Sequence, residues 1–444
     1  MNTMATRLAA FGLTHHQIES LADKFGNNTL VLLQSNPYLI IGDIRNFGFK
    51  RVDKIARQMG TAKSDPSRVR AGIIHCVNEA LDQGHCWTEM EDLIDQANLL
   101  LVMDDLDSRE VIDRELSRML DEGILACDSY SGRFVVALPK IRSMEQDLAG
   151  WLRQGQDLNP HFSDQEDLAG WVEHTGSELN EKQREGVLNA MRHRLSLITG
   201  PAGSGKTRTI SCINEICEEG EISVVLAALT GKAAQRIEQM VNRKASTIHR
   251  LLGFNGKEYA LGPDNPIDAD VAIIDEFSVV DVPLAWHLFR AIDLSRTAVV
   301  LVGDHNQLPP VGPGNILRDL VRSRVIPMVI LDQVVRQAGV LKENCMAVLS
   351  GEVRKTSGPA ENPSAPRPWY MLDRHTDQAD AQRCLLGLFE HDLKDRLGFD
   401  LITDVQLLTS IHKGPLGTHD LNMELQRVVQ RKLWNVDAPP PLPG

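Results

Sequence analysis

Residues 195–210, LSLITGPAGSGKTRTI, contain an apolar run, a glycine-rich turn and then a segment with helical character. The turn matches G-x-x-x-x-G-K-[ST], the pattern of a phosphate-binding loop. Its glycines permit backbone angles at which successive N–H groups point at phosphate oxygens, and the positive end of the following helix adds to the attraction. Lys206 is expected to reach the β- and γ-phosphates, and the Thr207 hydroxyl to hold Mg²⁺. The residues expected around the triphosphate are Gly200, Pro201, Ala202, Gly203, Ser204, Gly205, Lys206, Thr207 and Arg208.

A second nucleotide-binding pattern is VAIIDEFSVVD, residues 271–281. Four apolar residues of a predicted strand place Asp275 and Glu276 at its C-terminal end, where ligands bind in open parallel sheets. Asp275 is expected to bind Mg²⁺ through water, and Glu276 to act as general base for the attacking water. The position of this pair after a phosphate-binding loop in the same domain strengthens the prediction.

A third pattern is AVVLVGDHNQLPPVGPGNIL, residues 298–317, in which a predicted strand ends at Gly303 and Asp304. Gln307 follows just before a proline-stiffened turn. An uncharged amide there can hydrogen-bond the γ-phosphate and lose that bond on hydrolysis, which would link nucleotide state to conformation. The alternative is that this stretch is an ordinary turn.

Composition restricts the class of protein. The 444 residues allow two to four domains, and 42% hydrophobic and 24% charged residues are typical of a soluble globular protein. The net charge of −13 argues against coating of nucleic acid by the whole surface, but it permits a narrow basic track. The seven cysteines form no CxxC pair, and no apolar run approaches a membrane span. We therefore expect a cytoplasmic protein without disulfides, zinc or a membrane partner.

Strand–helix alternation begins near residue 177 and predicts an α/β fold. Near-continuous apolar runs, typical of parallel strands covered on both faces, occur at 195–199, 222–228, 271–275 and 298–303.

Residues 1–62 predict short helices joined by hairpins. Within them, residues 36–60, NPYLIIGDIRNFGFKRVDKIARQMG, predict a short helix, a turn at 46–48 and a second helix ending at Gly60. The cations Arg45, Lys50 and Arg51 flank the turn. This arrangement resembles a helix-hairpin-helix element, which grips a DNA phosphate without reading bases, although Asn46 replaces the usual first glycine. The alternative is a solvated basic helical face.

Residues 63–145 predict a helical domain closed by a β-hairpin that turns at Tyr130, Ser131 and Gly132. Helices followed by a hairpin suggest a winged-helix-like unit, which could bind DNA or serve as scaffold. Residues 146–176 predict a helical linker.

The segments GPAGSGKT, ALTGKAAQRI, STIHRLLG, IIDEFSVVD, LVGDHNQLPPVGPG and QVVRQ occur in the order of superfamily 1B DNA helicases. They most resemble the RecD-like group, in its extended form with an N-terminal helix-hairpin-helix region. Phe277 and Val279 depart from the alanine and methionine usual there. The resemblance implies two RecA-like lobes at 177–325 and 326–444, ATP and Mg²⁺ as cofactors, and single-stranded DNA and its duplex junctions as partners. It also implies 5′-to-3′ unwinding in DNA repair or recombination.

The resemblance assigns further residues one by one. Gln183 corresponds to the adenine-contacting glutamine, and Arg336 to the arginine finger that stabilises the transition state. The segments expected to grip single-stranded DNA contain Thr230, Lys232, Thr247, His249, His412 and Lys413. Residues 254–268, FNGKEYALGPDNPID, correspond to a short hairpin that splits duplex in the family.

The family's later motifs are missing after LNMELQRVV, so the second lobe is expected to be incomplete. Either the sequence is truncated or another chain supplies the remainder. The alternative function is therefore a fragment that binds ATP and DNA without helicase turnover.

Overall fold

The computed structural model describes residues 9, 13–42, 47–103, 107–156, 158, 168–333, 340–353, 371 and 377–436. The chain divides into two compact units, Met1–Val335 and Arg336–Gly444. The first unit begins with helices α1 His15–Phe25, α2 Thr29–Ser35, α3 Phe49–Gln58, α4 Pro66–Asp82, α5 Met90–Leu101 and α6 Ser108–Asp121. A short 3₁₀ helix, Pro37–Ile40, precedes α3. No helix among the described residues is long and apolar enough to cross a membrane.

Caps and glycines delimit the N-terminal helices. The Thr14 side chain and Gln17 form a reciprocal capping box at the start of α1. Gly26 follows α1 with φ 57°, and Gly60 follows α3 with φ 95°, values that glycine adopts readily. The helix predicted after the turn at 46–48 is thus confirmed as α3, while residues 43–46 lie outside the described residues.

A buried ion pair joins these helices. The Arg68 side chain is 5% exposed, and its Nε donates to Asp53 Oδ1 at 2.8 Å. Arg68 Nη1 donates to the backbone oxygens of Lys63 and Leu101, at 2.8 and 2.9 Å. The Tyr38 hydroxyl donates to the same Asp53 oxygen at 2.6 Å, and burial raises the pKa of Tyr38. Arg68 therefore satisfies a carboxylate and two carbonyls at once.

Replacing Arg68 with alanine is expected to lower the free energy of unfolding by about 3 kcal/mol, because it leaves a partly buried carboxylate without its cation. Arg114, an exposed residue that pairs with Glu110 on α6, is the matched control. Its replacement with alanine should cost about 0.5 kcal/mol or less. Urea unfolding of both variants measures the difference, and equal losses would contradict the role given to Arg68.

A small antiparallel sheet follows, with strands β1 Thr88–Glu89, β2 Ala126–Tyr130 and β3 Arg133–Ala137 in the order β1-β3-β2. The predicted hairpin is confirmed: Tyr130 pairs with Arg133 across a turn in which Ser131 and Gly132 have φ of 51° and 79°. Helix α7, Pro139–Gln154, comes next. Its Leu148 and Leu152 pack in the same core as the large sheet, so much of the predicted linker is integral to that core.

The large sheet has six parallel strands in the order β6-β5-β7-β8-β4-β9. Its strands are β4 Leu195–Thr199, β5 Val224–Ala228, β6 Ala245–Thr247, β7 Val271–Asp275, β8 Ala298–Gly303 and β9 Met328–Ile330. The sheet confirms the predicted α/β fold of a RecA-like lobe. The second predicted strand begins two residues later than expected, and the short strands β6 and β9 are additions to the four that the sequence predicts.

Helices cover both faces of this sheet. They are α8 Leu168–Thr175, α9 Glu181–Arg192, α10 Lys206–Glu219, α11 Gly231–Val241, α12 Ile248–Leu251, α13 Val282–Arg290 and α14 Ile316–Ser323. Alternate residues of the central strands enter opposite cores: Ile274 and Leu301 pack with α13, whereas Ile273 and Val300 pack with α10. Burial on both faces explains the continuous apolar runs.

The second unit has helices α15 Val340–Leu349, α16 Gln378–Gly387 and α17 Thr418–Trp434, with a π-helical turn at Leu388–Asp392. Phe389, Leu401 and Leu421 are buried within it. Residues 354–370, part of this unit, lie outside the described residues.

Candidate nucleotide-binding site

The glycine-rich loop connects the end of β4 to the start of α10, as predicted. Gly203 and Gly205 have φ of 82° and 89°, the left-handed region that favours glycine. A Cβ on Gly200 would lie 2.4 Å from the backbone oxygen of Leu331, and one on Gly205 would lie 2.1 Å from Gln183 Nε2. The glycines are therefore required by backbone angle and by close packing as well as by any ligand.

Lys206 lies inside the loop at the first position of α10. Its Nζ donates to the backbone oxygens of Gly200 and Pro201, at 2.6 and 3.1 Å. Burial lowers the pKa of Lys206, while Asp304, Glu276 and Asp275 oppose that shift. The amine thus lies where the loop and three carboxylates converge, and phosphate oxygens would replace its backbone acceptors.

The loop also contains an unsatisfied hydroxyl. Ser204 is 1% exposed, and its Oγ has no hydrogen-bond partner among the described residues. A buried polar atom without a partner is costly, and a ligand oxygen can relieve that cost. The glycine cradle, Lys206 and this hydroxyl together fit a triphosphate.

Asp275 and Glu276 lie at the C-terminal end of β7, as the sequence predicts. Burial raises the pKa of Asp275 to about 6, and the nearby Lys206 acts in the opposite direction. Glu276 has a left-handed backbone with φ 53°, and its N–H donates to Asp275 Oδ1 at 2.8 Å. A left-handed conformation is strained for a residue other than glycine, and such strain is common at functional sites. The Asp275 carboxylate, close to Lys206, fits Mg²⁺, which prefers carboxylate and water ligands.

The raised pKa of Asp275 predicts a pH effect on the metal-free chain. Folding raises this pKa from 3.8 to about 6, so the folded carboxyl keeps a proton that the unfolded one releases. The free energy of unfolding should therefore fall by about 3 kcal/mol as pH rises from about 4 to about 6. Asp275→Asn, which can still accept from the Glu276 N–H, should lack this loss. Denaturant unfolding of both proteins across this range measures it, and parallel pH profiles would contradict it.

Gln307 lies beside the end of β8, where Ser278 Oγ donates to its Oε1 at 3.3 Å. The structure adds a contact that sequence reasoning missed: Thr199 Oγ1 and His305 Nδ1 are 2.9 Å apart. Thr199 pairs with Gly303 in adjacent parallel strands, so their carboxyl ends meet at one sheet edge. That adjacency is visible only once strand order is known.

Gln183 contacts the loop from α9. Its Oε1 accepts from the Asn180 N–H at 3.0 Å, and its Nε2 donates to the backbone oxygen of Ser204 at 3.0 Å. Both ends of the amide are engaged in capping α9 and holding the loop. Contact with adenine would require the amide to exchange these bonds, and that role stays a prediction. Arg208, another expected ATP contact, is exposed and pairs with Glu178 at 3.3 Å.

Two predicted DNA-contact segments lie together in the first unit. Thr230 follows β5 and caps α11 by accepting from the Ala233 N–H, and Thr247 ends β6 and caps α12 by accepting from the Arg250 N–H. Ala228 pairs with Thr247, so both segments lie at the carboxyl edge of the sheet. The threonine hydroxyls have capping roles that sequence reasoning missed. Lys232 is exposed and His249 is half-buried.

The other predicted contacts lie elsewhere. Lys50 and Arg51 are exposed on α3, with Lys50 Nζ 3.4 Å from Glu79 Oε1. In the second unit, Lys413 is exposed and His412 Nδ1 lies 3.2 Å from Thr418 Oγ1. Arg45 and Arg336 lie outside the described residues.

The hairpin expected at 254–268 is wrong, because this segment contains a single bridge, Gly262 with Asn265, and no paired strands. Gly262 and Asn265 exchange both backbone hydrogen bonds at 3.1 Å, which makes a tight turn. Gly262, Pro263 and Pro266 lie at this turn and limit the length of any strand.

Two family models match parts of the chain. Residues 183–313 match the AAA domain family, and residues 1–87 match the HHH domain of the ATP-dependent RecD2 DNA helicase family. The ATP-dependent RecD2 DNA helicase of Deinococcus radiodurans is 29% identical over 431 residues, which are 94% of this chain and 57% of that protein. The chain is therefore similar to RecD-like helicases over almost its whole length.

Other relatives match shorter parts of this RecD-like chain. The RecBCD enzyme subunit RecD of Haemophilus influenzae is 30% identical over 193 residues, or 38% of this chain and 28% of that protein. The Pif1 helicase of Candida albicans, known from its crystal structure, is 19% identical, with a TM-score of 0.30 over 47% of this chain and 54% of that one. The RecD-like chain thus spans little more than half of the Deinococcus relative and less of the Haemophilus one.

Proposed function

We propose that this RecD-like chain forms part of an ATP-dependent DNA helicase that moves 5′-to-3′ along single-stranded DNA in repair or recombination. The observation that carries the proposal is the convergence of Lys206 with the carboxylates Asp275, Glu276 and Asp304. In a parallel sheet such a site lies at the carboxyl edge, where the segments of Thr230 and Thr247 also end. ATP chemistry and strand binding would thereby share one rigid sheet.

The proposed roles follow from the chemistry of each side chain. Lys206 would neutralise the β- and γ-phosphates, and Thr207 and Asp275 would hold Mg²⁺, which when bound supplies further charge neutralisation. Glu276 would accept the proton of the attacking water. Gln307 would report the presence of the γ-phosphate through its amide. Arg336, from the segment after β9, would act as the arginine finger.

The proposed DNA contacts are hydroxyl, imidazole and cationic groups, which suit phosphates without base readout. In the first lobe, proposed as residues 177–325, they are Thr230, Lys232, Thr247 and His249. His412 and Lys413 would contribute from a second lobe proposed at 326–444. Arg45, Lys50 and Arg51 would hold a duplex or junction phosphate from residues 1–62. The units proposed at 63–145 and 146–176 would connect this region to the motor.

Unwinding of tailed duplexes tests the proposal. We expect ATP-dependent strand separation of a duplex with a 5′ single-stranded tail and none with a 3′ tail of equal length. Separation of the 3′-tailed duplex alone would contradict the proposed direction. Binding of ATP and DNA with neither turnover nor unwinding would support the alternative, in which these 444 residues are a binding fragment.

A further inference from the structure

A cavity of about 400 Å³ lies beside the predicted DNA-contact segments of the first unit. Leu229, next to Thr230, lines it, as does His249. The start of α13 and residues 309–312, just after Gln307, complete its wall. Tyr259, Asp281, His287, Val311 and Gly312 also line it. Its volume is in the range of small-molecule sites, which makes it large enough for one planar ring system.

Aromatic rings form one side of the cavity. The Tyr259 ring centroid lies 4.2 Å from that of His287 and 4.7 Å from that of Phe254. The His249 ring lies 6.2 Å from Tyr259 with planes inclined by 27°, a stacked arrangement. Val311, which is 91% exposed, also lines the cavity. A cavity lined by a ring cluster and an exposed aliphatic side chain, here called the slot, suits a flat aromatic ligand.

A carboxylate lies at the polar edge of this slot. Asp281 caps α13, and its Oδ1 accepts from the Leu284 N–H at 2.9 Å. Its Oδ2 faces Gly312, where an added Cβ would lie 2.0 Å from that oxygen. Glycine at this position therefore leaves room for the Asp281 carboxylate itself. Burial raises the pKa of Asp281, while the nearby His249 opposes the shift.

Charge outside the cavity fits a nucleic-acid strand. Lys232 and Arg250 are exposed on α11 and α12, the helices that follow Thr230 and Thr247. Cations that follow a backbone beside aromatic rings that accept bases are the usual elements of single-strand binding. Because Leu229 and His249 lie one and two residues from Thr230 and Thr247, the slot adjoins the proposed phosphate contacts.

We propose that this cavity binds one unstacked base of single-stranded DNA and that Asp281 favours a base with an exocyclic amino group. The inference rests on the proposed function, since it requires that the chain bind a single strand. Tyr259 and His287 would stack on the base, and Asp281 would accept a hydrogen bond from its amino group, as acidic side chains do from cytosine N4. Thymine offers a carbonyl at the same position and would leave that bond unmade.

The test compares the affinities of the full chain for oligodeoxycytidine and oligothymidine of equal length, by fluorescence anisotropy at pH 8. We expect the cytosine strand to bind about 2- to 12-fold more tightly, the effect of one hydrogen bond. Asp281→Asn should abolish this preference, while asparagine still caps α13. Asp107→Asn, at the cap of α6, is the matched control and should keep the preference.

The stacking role has its own variants. Tyr259→Leu should weaken binding of both strands by about 5- to 150-fold, whereas Tyr259→Phe, which keeps the ring, should bind as the unchanged protein does. Thermal unfolding of each variant checks that it remains folded. Equal affinity for the two strands, or unaltered binding by Tyr259→Leu, would overturn the inference and leave the proposed function standing. Failure of the unchanged chain to bind either strand would overturn both.

Discussion

Replacing Lys206 with alanine is expected to remove ATP hydrolysis, with kcat/KM falling by at least about 10²- to 10³-fold. The amine is held inside the loop by the backbone oxygens of Gly200 and Pro201, where the phosphates are proposed to bind. Loss of one preorganised donor to transition-state charge has an effect of that size. Steady-state phosphate release measures it, and ATP binding should weaken as well because the same amine contacts the ground-state phosphates.

Lys232→Ala is the matched control for this variant. Lys232 is exposed on α11, outside the phosphate-binding loop, and its loss should leave hydrolysis without DNA unchanged. If Lys206→Ala retained turnover within about tenfold of the unchanged chain, the loop would not be the site of catalysis.

The second large effect is expected from Glu276→Gln, which should lower kcat by about 10²- to 10⁴-fold while ATP binding is retained. Glutamine keeps the size and polarity of the side chain and can occupy the same backbone position, but it cannot accept the proton of the attacking water. A fluorescent ATP analogue measures binding, and single-turnover phosphate release measures the chemical step. The separation of binding from turnover distinguishes this variant from Lys206→Ala.

Glu219→Gln, an exposed change at the end of α10, removes the same charge from a position away from the carboxylates and should have no effect on either measurement. Parallel losses of ATP binding and turnover in Glu276→Gln would indicate a structural role for Glu276 and would contradict its assignment as general base.

Much of the first unit could be predicted because its central strands are buried on both faces. Such strands appear in the sequence as continuous apolar runs. Residues at their C-terminal ends, such as Asp275 and Glu276, then lie at the sheet edge where ligands bind. The chain reversals at Gly60 and Gly132 were similarly predictable, and both glycines have positive φ. The spacing of the glycines before Lys206 was sufficient to predict the phosphate-binding loop.

Other features depend on tertiary neighbours that one sequence does not reveal. Strands β6 and β9 have three residues each, too few for a recognisable apolar run. The contact of Gln183 with Ser204 joins a helix cap to a loop 21 residues away, and the Thr199–His305 contact joins two strand ends. Helix α7 has an amphipathic pattern that fits a linker or a core helix equally. Only its contacts, such as Trp286 Nε1 donating to Asp147 at 2.8 Å, identify the second.

ATP hydrolysis by the 444-residue chain, measured with and without single-stranded DNA, tests most directly whether this chain contains a working DNA-dependent motor. Turnover that DNA stimulates, and that disappears in Lys206→Ala, is the expected result. Binding of both ATP and DNA by the folded chain, without turnover under either condition, would contradict it.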